Sequence, residues 1–180
     1  MSILDRFGWH GDRKTGTPAA SSADTDTVRK IAAALDRLEP DKARYIAAFA
    51  YILSRVARAD LSISDEELRE MERLVCEKGG LPEAQAVMVV QMAKTQSVLF
   101  GGVENFLVTR EFDKIATREQ KIALLHCLFA VSAADNSISS AEDTTIRAIA
   151  DELHLDRGDF IAVKSVYSGL LATRNRKEEA

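Results

Sequence analysis

Residues 53–74 read LSRVARADLSISDEELREMERL, and residues 128–149 read LFAVSAADNSISSAEDTTIRAI. The second stretch repeats the first 75 residues later, with the same residue type at several positions: Leu53, Val56, Ala59, Asp60, Ser62, Ile63, Ser64 and Glu67 match Leu128, Val131, Ala134, Asp135, Ser137, Ile138, Ser139 and Glu142. In each stretch, apolar residues at helical spacing flank a short polar segment. The pattern predicts two related helix-turn-helix units that share one apolar core.

Helical spacing of apolar residues extends through most of the chain, and no segment alternates as a half-buried strand would. Pro40 and Pro82 suit first helical positions, while Thr117 and Asp156 suit N-caps. We predict an all-α fold, a compact bundle of about seven or eight helices made of two pseudo-repeated helix-turn-helix halves. The expected helices are 26–38, 40–59, 65–78, 82–95, 103–113, 118–134, 140–154 and 157–172. We expect a flexible N-terminal arm and linker over 1–26, one helical domain over 27–172 and a polar tail over 173–180.

Each turn ends in a capping box, which is the structural interpretation of its polar residues. Ser64 and Ser139 are the expected N-caps, and Glu67 and Glu142 are expected to reach back to the cap amides. A cap serine of this kind contributes roughly 0.5 to 2 kcal/mol to helix stability. Capping alone therefore explains why serine and glutamate recur in both copies.

A metal interpretation of the same turns stays open beside the structural one. Carboxylates seven positions apart in two packed turns would form a cluster of hard oxygen ligands suited to a divalent cation. Neither turn is an EF-hand, because neither has glycine at the sixth position of such a loop. Asp143 favours function, since it lies where Leu68 completes a hydrophobic staple in the first copy. The candidate metal ligands are Asp60, Glu67, Asp135, Glu142 and Asp143.

Composition and charge narrow the range of partners. The formal net charge is -4 and the sequence pI is about 5.5, which argues against nucleic acid as a partner. No apolar run approaches the roughly 18 residues that a membrane span needs, so we expect no stable membrane insertion. Cys76 and Cys127 lie far apart inside apolar helical patterns and are expected to be reduced core residues. A cytoplasmic location is the resulting expectation.

No sequence motif indicates a catalytic site. The chain lacks a G-x-S-x-G elbow, a P-loop and a G-x-G-x-x-G turn. His126 is expected to lie in or near the core with a satisfied hydrogen bond, and His154 is expected to close the seventh helix. We expect no enzyme and no cofactor other than a divalent cation, because capping carboxylates must stay ionised. An enzyme that uses the paired carboxylates is the less favoured alternative.

The N-terminal arm carries large apolar residues at positions 3, 4, 7 and 9, namely Ile3, Leu4, Phe7 and Trp9. A segment this short with little positive charge binds lipid weakly. Disorder, or docking of the arm back on its own domain, is the favoured expectation.

At the two turns the chain resembles the TerB-like family, which includes bacterial tellurite-resistance proteins and the N-terminal domain of the DjlA co-chaperone. The resemblance covers roughly residues 27–171 and rests on the paired Ala-Asp turns and on a C-terminal run: Ala134, Asp135, Glu142, Asp143, Ile146, Arg147, Ile149, Ala150, Leu153, Leu155, Asp159 and Phe160. It implies an all-helical fold of two related halves, a stress-linked or tellurite-linked role and an acidic surface proposed to bind a cation. We therefore expect an interaction or sensing module that contacts protein partners through its acidic turn face, with a purely structural helical adaptor without any ion as the alternative.

The chain departs from the family pattern at the residue after each turn aspartate. Where the family usually has glycine, this chain has Leu61 in the first copy and Asn136 in the second. Asparagine accepts a left-handed backbone conformation, whereas leucine does so poorly. The departure weakens Asp60 and Glu67 as ligands more than it weakens Asp135 and Glu142.

Overall fold

The computed structural model describes residues 22–56, 65–95, 105–133 and 137–171. Within these ranges the chain forms eight α-helices and no strand: α1 Ser22–Leu35, α2 Pro40–Val56, α3 Asp65–Glu77, α4 Glu83–Lys94, α5 Asn105–Ile115, α6 Arg118–Ser132, α7 Ser140–Glu152 and α8 Arg157–Val166. A 3-10 turn over Ser168–Leu170 follows α8, and an isolated parallel bridge joins Ile138 to Leu171. The all-α prediction is confirmed. The last helix ends earlier than expected because the chain tightens into the 3-10 turn that contains Gly169.

The central helix is α2, which is apolar on nearly every face. Residues buried on α2 include Ile46, Phe49, Ile52 and Leu53, each of them 0% exposed. A helix that is hydrophobic all round must be covered on all sides. Four other helices cover it: α4, α5, α6 and α7. The core around α2 therefore joins the first half of the chain to the second.

The helix starts follow from local cap chemistry. Thr117, Ser139 and Asp156 are the N-caps of α6, α7 and α8, and each side-chain oxygen accepts a hydrogen bond from the third helical amide. These caps were predicted. Pro82 was expected inside α4, but it is the N-cap, because its ψ of 148° is extended and the helix begins at Glu83.

Helices α3 and α7 each have 13 residues, and the bounds of α7 lie 75 positions after those of α3. Their surroundings differ. Helix α3 packs against α4, whereas α8, which follows α7, packs mainly against α6. The two halves thus use helices of matching length in different packing arrangements.

The two cysteines differ in burial. Cys127 is fully buried, as expected, and burial raises the pKa of its thiol to about 12. Cys76 was expected in the core, but it is only half-buried and packs against the edge of the core, because Val75 takes the inward position on α3. Both are free cysteines. Among the described helices, none is long and apolar enough to cross a membrane.

Candidate functional site

The first turn of α7 carries the described part of the candidate site. Of the five carboxylates expected to bind metal, Glu142 and Asp143 lie there side by side. Asp60 and Asp135 lie outside the described residues, and Glu67 lies in the first turn of α3 with its side chain outside them. The structure therefore brings two of the five together on one helix end, and the other three stay sequence predictions.

Glu142 forms the expected capping box with Ser139. The backbone amide of Ser139 donates to Glu142 Oε2 over 2.8 Å, and the amide of Glu142 donates to Ser139 Oγ over 3.2 Å. Both bonds satisfy amides that the start of a helix would otherwise leave without partners. The structural interpretation of Glu142 is thus confirmed. A metal that used Oε2 would have to compete with the cap.

Asp143 forms an ion pair with a residue that sequence analysis did not identify. Its two carboxylate oxygens each lie 2.7 Å from the Nζ atom of Lys164 on α8. The two side chains are only 27% and 29% exposed, and the ammonium lies 5.6 Å from the ring centroid of Phe160. Partial burial reduces solvent screening of such a pair. The carboxylate at the staple position is therefore offset by a cation that the chain itself supplies.

A signal for this pair was present in the repeat. At the repeat offset, Asp143 corresponds to Leu68, and Lys164 corresponds to Val89. Two apolar residues of the first copy are thus replaced in the second copy by opposite charges. Comparing the copies beyond the turn identifies both positions as changed, but it does not predict that they meet, because α8 packs differently from α4.

The electrostatics of this site restrict how it could hold a metal. Asp143 and Glu142 offer hard oxygen ligands of the kind that divalent cations prefer. An ammonium group already neutralises Asp143, so an incoming cation must displace Lys164. Across the described ranges, no group of three or more His, Cys, Asp or Glu side chains is arranged to hold a metal ion.

A second charged cluster links the two halves near the ends of α2 and α7. Arg55 donates to both carboxylate oxygens of Glu152, over 2.6 and 3.0 Å, and to the hydroxyl of buried Thr109 over 2.8 Å. Burial raises the pKa of Glu152, but hydrogen bonds from Arg55 and Thr109 outweigh it, and the net pKa lies below its usual value. The bidentate geometry and the low exposure indicate a structural clamp.

A third cluster surrounds Asp113 at the end of α5. Its carboxylate accepts from Lys121 over 2.7 Å and lies 3.1 Å from Nδ1 of His154. Burial raises the pKa of Asp113, but the interactions with Lys121 and His154 lower it by more. The net pKa of Asp113 therefore lies below its usual value. His154 follows α7 with a φ of 53°, a left-handed position common after helices. These contacts fix the end of α7.

His126 is partly buried on α6. Burial lowers the pKa of His126, and the positive charge of Lys78 adds to the shift. Its ring lies 6.1 Å from that of Tyr167, whose hydroxyl donates to the backbone carbonyl of His126. The expectation of a histidine in or near the core fits this placement.

The protein belongs to the class of all-helical domains. It is built around one apolar helix, and an acidic capped turn leads into α7. A model of the family described as Tellurite resistance protein TerB matches residues 46–165. The match covers most of the chain, and the chain belongs to the TerB family. No curated protein and no solved structure matches the chain. The matched region runs from within α2 to within α8 and includes Glu142, Asp143 and Lys164.

Proposed function

We propose that this TerB-family protein is a cytoplasmic interaction and sensing module in a tellurite-linked or stress-linked response, and that it has no catalytic activity. The acidic face at the start of α7 is the proposed point of action, and a divalent cation is the proposed signal. The observation that carries the proposal is the ion pair between Asp143 and Lys164. It joins α7 to α8 through a contact that another cation can replace.

Competition between a cation and Lys164 gives the proposed module its response. A divalent cation bound by Asp143 and Glu142 would release the Lys164 ammonium from the carboxylate. Helix α8 packs mainly on α6, so the loss of this contact would alter how α7 meets α8 without opening the core. The altered surface is then available to a protein partner. Asp60, Glu67 and Asp135 are the further ligands that the sequence predicts.

The absence of catalysis is proposed from the state of the carboxylates. Glu142 accepts an amide hydrogen bond at Oε2, and Asp143 accepts from an ammonium group at Oδ2. A general acid or base needs a carboxyl oxygen that is free to reach the substrate, whereas these oxygens are already held by partners within the protein. These two carboxylates are therefore suited to binding positive charge rather than to proton transfer.

Calorimetric titration of Ca²⁺, Mg²⁺, Mn²⁺ and Zn²⁺ tests the proposal in four versions of the full chain. We expect weak binding by the wild type, no binding by Asp143→Asn, and binding about tenfold tighter by Lys164→Met, which corresponds to about 1.4 kcal/mol. Asp151→Asn is the matched control, because it removes the same charge from an exposed position on the same helix and should bind like the wild type. Absence of heat and of any thermal shift in all four proteins would overturn the cation proposal.

The second candidate function is a helical adaptor that binds protein partners without an ion. The same ion pair favours it, since Lys164 already supplies the positive charge that Asp143 needs. The titration separates the two candidates. An adaptor predicts that Lys164→Met loses stability and gains no affinity for any of the four cations.

A further inference from the structure

A cleft of about 530 Å³ lies between the first turns of α2, the loop from α3 to α4 and the start of α6. Its lining is largely apolar and includes Tyr45, Leu81, Pro82, Ile115 and Ala123. The charged residues that line it are Asp41, Lys42 and Glu119. An apolar concave surface of this size with a polar rim is typical of a binding site.

The cleft wall is stiff rather than collapsible. Gly79 lies under it, and a Cβ at that position would meet the carbonyl oxygen of Val75 at 2.6 Å and the ring of Phe49 at 2.9 Å. The Tyr45 ring packs against Phe112 with centroids 5.1 Å apart, and burial raises the pKa of Tyr45 to about 12. The wall is thus held by core contacts, so the concavity persists whether or not anything fills it.

The chain itself provides a segment of the right chemistry. Residues 3–9 contain Ile3, Leu4, Phe7 and Trp9, and aromatic residues are the commonest anchors in apolar recognition sites. The net charges are also opposite: residues 3–14 have three basic and two acidic side chains, a net charge of +1, while Asp41, Lys42 and Glu119 give the cleft lining a net charge of -1. Exposed apolar residues also occur on α8, where Ile161 and Val166 are 52% and 68% exposed, but they do not line this cleft.

The connecting chain is long enough to reach the cleft. Helix α1 has 14 residues and is therefore about 20 Å long. It ends at Leu35, shortly before the Pro40 start of α2, whose first turns line the cleft. Twelve residues separate Trp9 from Ser22, where α1 begins, and a random coil of that length has a root-mean-square span of about 20 Å.

We propose that residues 3–9 dock into this cleft of the same molecule, with Phe7 and Trp9 as the anchors. A short linker of this kind gives an effective concentration on the order of 1 mM. A segment with an intrinsic dissociation constant of about 0.1 mM would then be docked about 90% of the time. Docking covers the apolar wall and places the basic residues of the arm beside Asp41 and Glu119. The proposal is independent of cation binding at α7.

Trp9 is the only tryptophan in the chain, so its fluorescence reports on the arm alone. In the full-length protein we expect emission shifted to the blue of N-acetyltryptophanamide and protected from acrylamide. Ala123→Arg should shift the emission to the red and raise the quenching constant severalfold, because the arginine fills the cleft. Val166→Arg is the matched control: it makes a similar change on an exposed face of α8 and should leave both readings unchanged.

If circular dichroism shows that Ala123→Arg does not fold, a second variant tests the proposal in its place. Pro82→Asp places a charge in the cleft wall at an N-cap position that favours aspartate, so α4 should still form. Wild-type emission equal to that of the free indole, or emission unchanged in both cleft variants, would overturn the proposal. A blue shift that fades on dilution would assign the cleft to a second copy. A shift that requires anionic lipid vesicles would assign the arm to a membrane.

Discussion

The two halves of the molecule carry opposite chemistry at the same two positions of the sequence repeat. In the first half, Leu68 on α3 and Val89 on α4 are buried, at 7% and 0% exposure. In the second half, the corresponding positions hold Asp143 and Lys164, a pair more than a quarter exposed. Hydrophobic burial is insensitive to ions, whereas a partly exposed ion pair responds to salt and to competing cations. Under the proposed function, the first half is the fixed part of the molecule and the second half is the responsive part.

Moving the charged pair into the first half should produce the largest effect. We expect Leu68→Asp combined with Val89→Lys to lower the free energy of unfolding by about 4 kcal/mol or more, because two charges would enter a fully apolar region. Urea denaturation followed by circular dichroism measures the change. A loss of less than about 1 kcal/mol would mean that the two halves tolerate charge equally and would remove the contrast between them.

An intermediate effect is expected at Glu152, which links the halves through Arg55. Glu152→Gln should cost about 2 kcal/mol near neutral pH, since it leaves a mostly buried guanidinium with a weaker partner. The matched control is Glu77→Gln at the equivalent position of the first half, where Arg73 and Glu77 are each 50% exposed and the cost should stay within about 0.5 kcal/mol.

The pH dependence at Glu152 has a definite sign. Its folded-state pKa lies below the ordinary value of 4.5, so the pair stabilises the fold above that pH and the contribution is lost as the pH falls through the lower, folded-state pKa. The difference in the free energy of unfolding between wild type and Glu152→Gln should therefore be largest at neutral pH and should disappear in acid. A gap that stayed constant down to acid would contradict this account.

The smallest effect is expected from removing the charges of the second half. Asp143→Leu combined with Lys164→Val should change the free energy of unfolding by less than about 1 kcal/mol, because a well-packed apolar pair often replaces an ion pair without loss. Stability of the wild type should fall more with added NaCl than that of the double variant. Equal salt dependence in thermal melts would show that this ion pair does not make the second half responsive.

The parts of the fold that local chemistry determines could be predicted from the sequence. Helices α3 and α7 begin at the residues expected for them, and the bond between Ser139 and Glu142 follows from residues three positions apart. Contacts between distant residues were missed for a physical reason. Arg55 and Glu152 are 97 positions apart, and their meeting depends on how α2 and α7 pack, which neither local propensity nor periodicity specifies.

The candidate site likewise has a local part that the sequence predicts and a contact between helices that it does not predict. The capping role of Glu142 was predictable because it is local, whereas the partner of Asp143 was not, because Lys164 lies on the next helix. Cys76 was placed too deep for a related reason: helical spacing identifies an apolar face but not where its edge meets solvent. For Asp60, Glu67 and Asp135 the prediction of metal binding stands as made.

The burial of Cys127 makes its thiol a natural probe of unfolding. Burial raises the pKa of the thiol to about 12, so the reactive thiolate is scarce at neutral pH, and the folded core keeps alkylating reagents away from it. Covalent modification of this position must wait until α6 separates from the core. Once the half-buried Cys76 has reacted, the slow loss of the second thiol therefore reports the spontaneous opening of the domain.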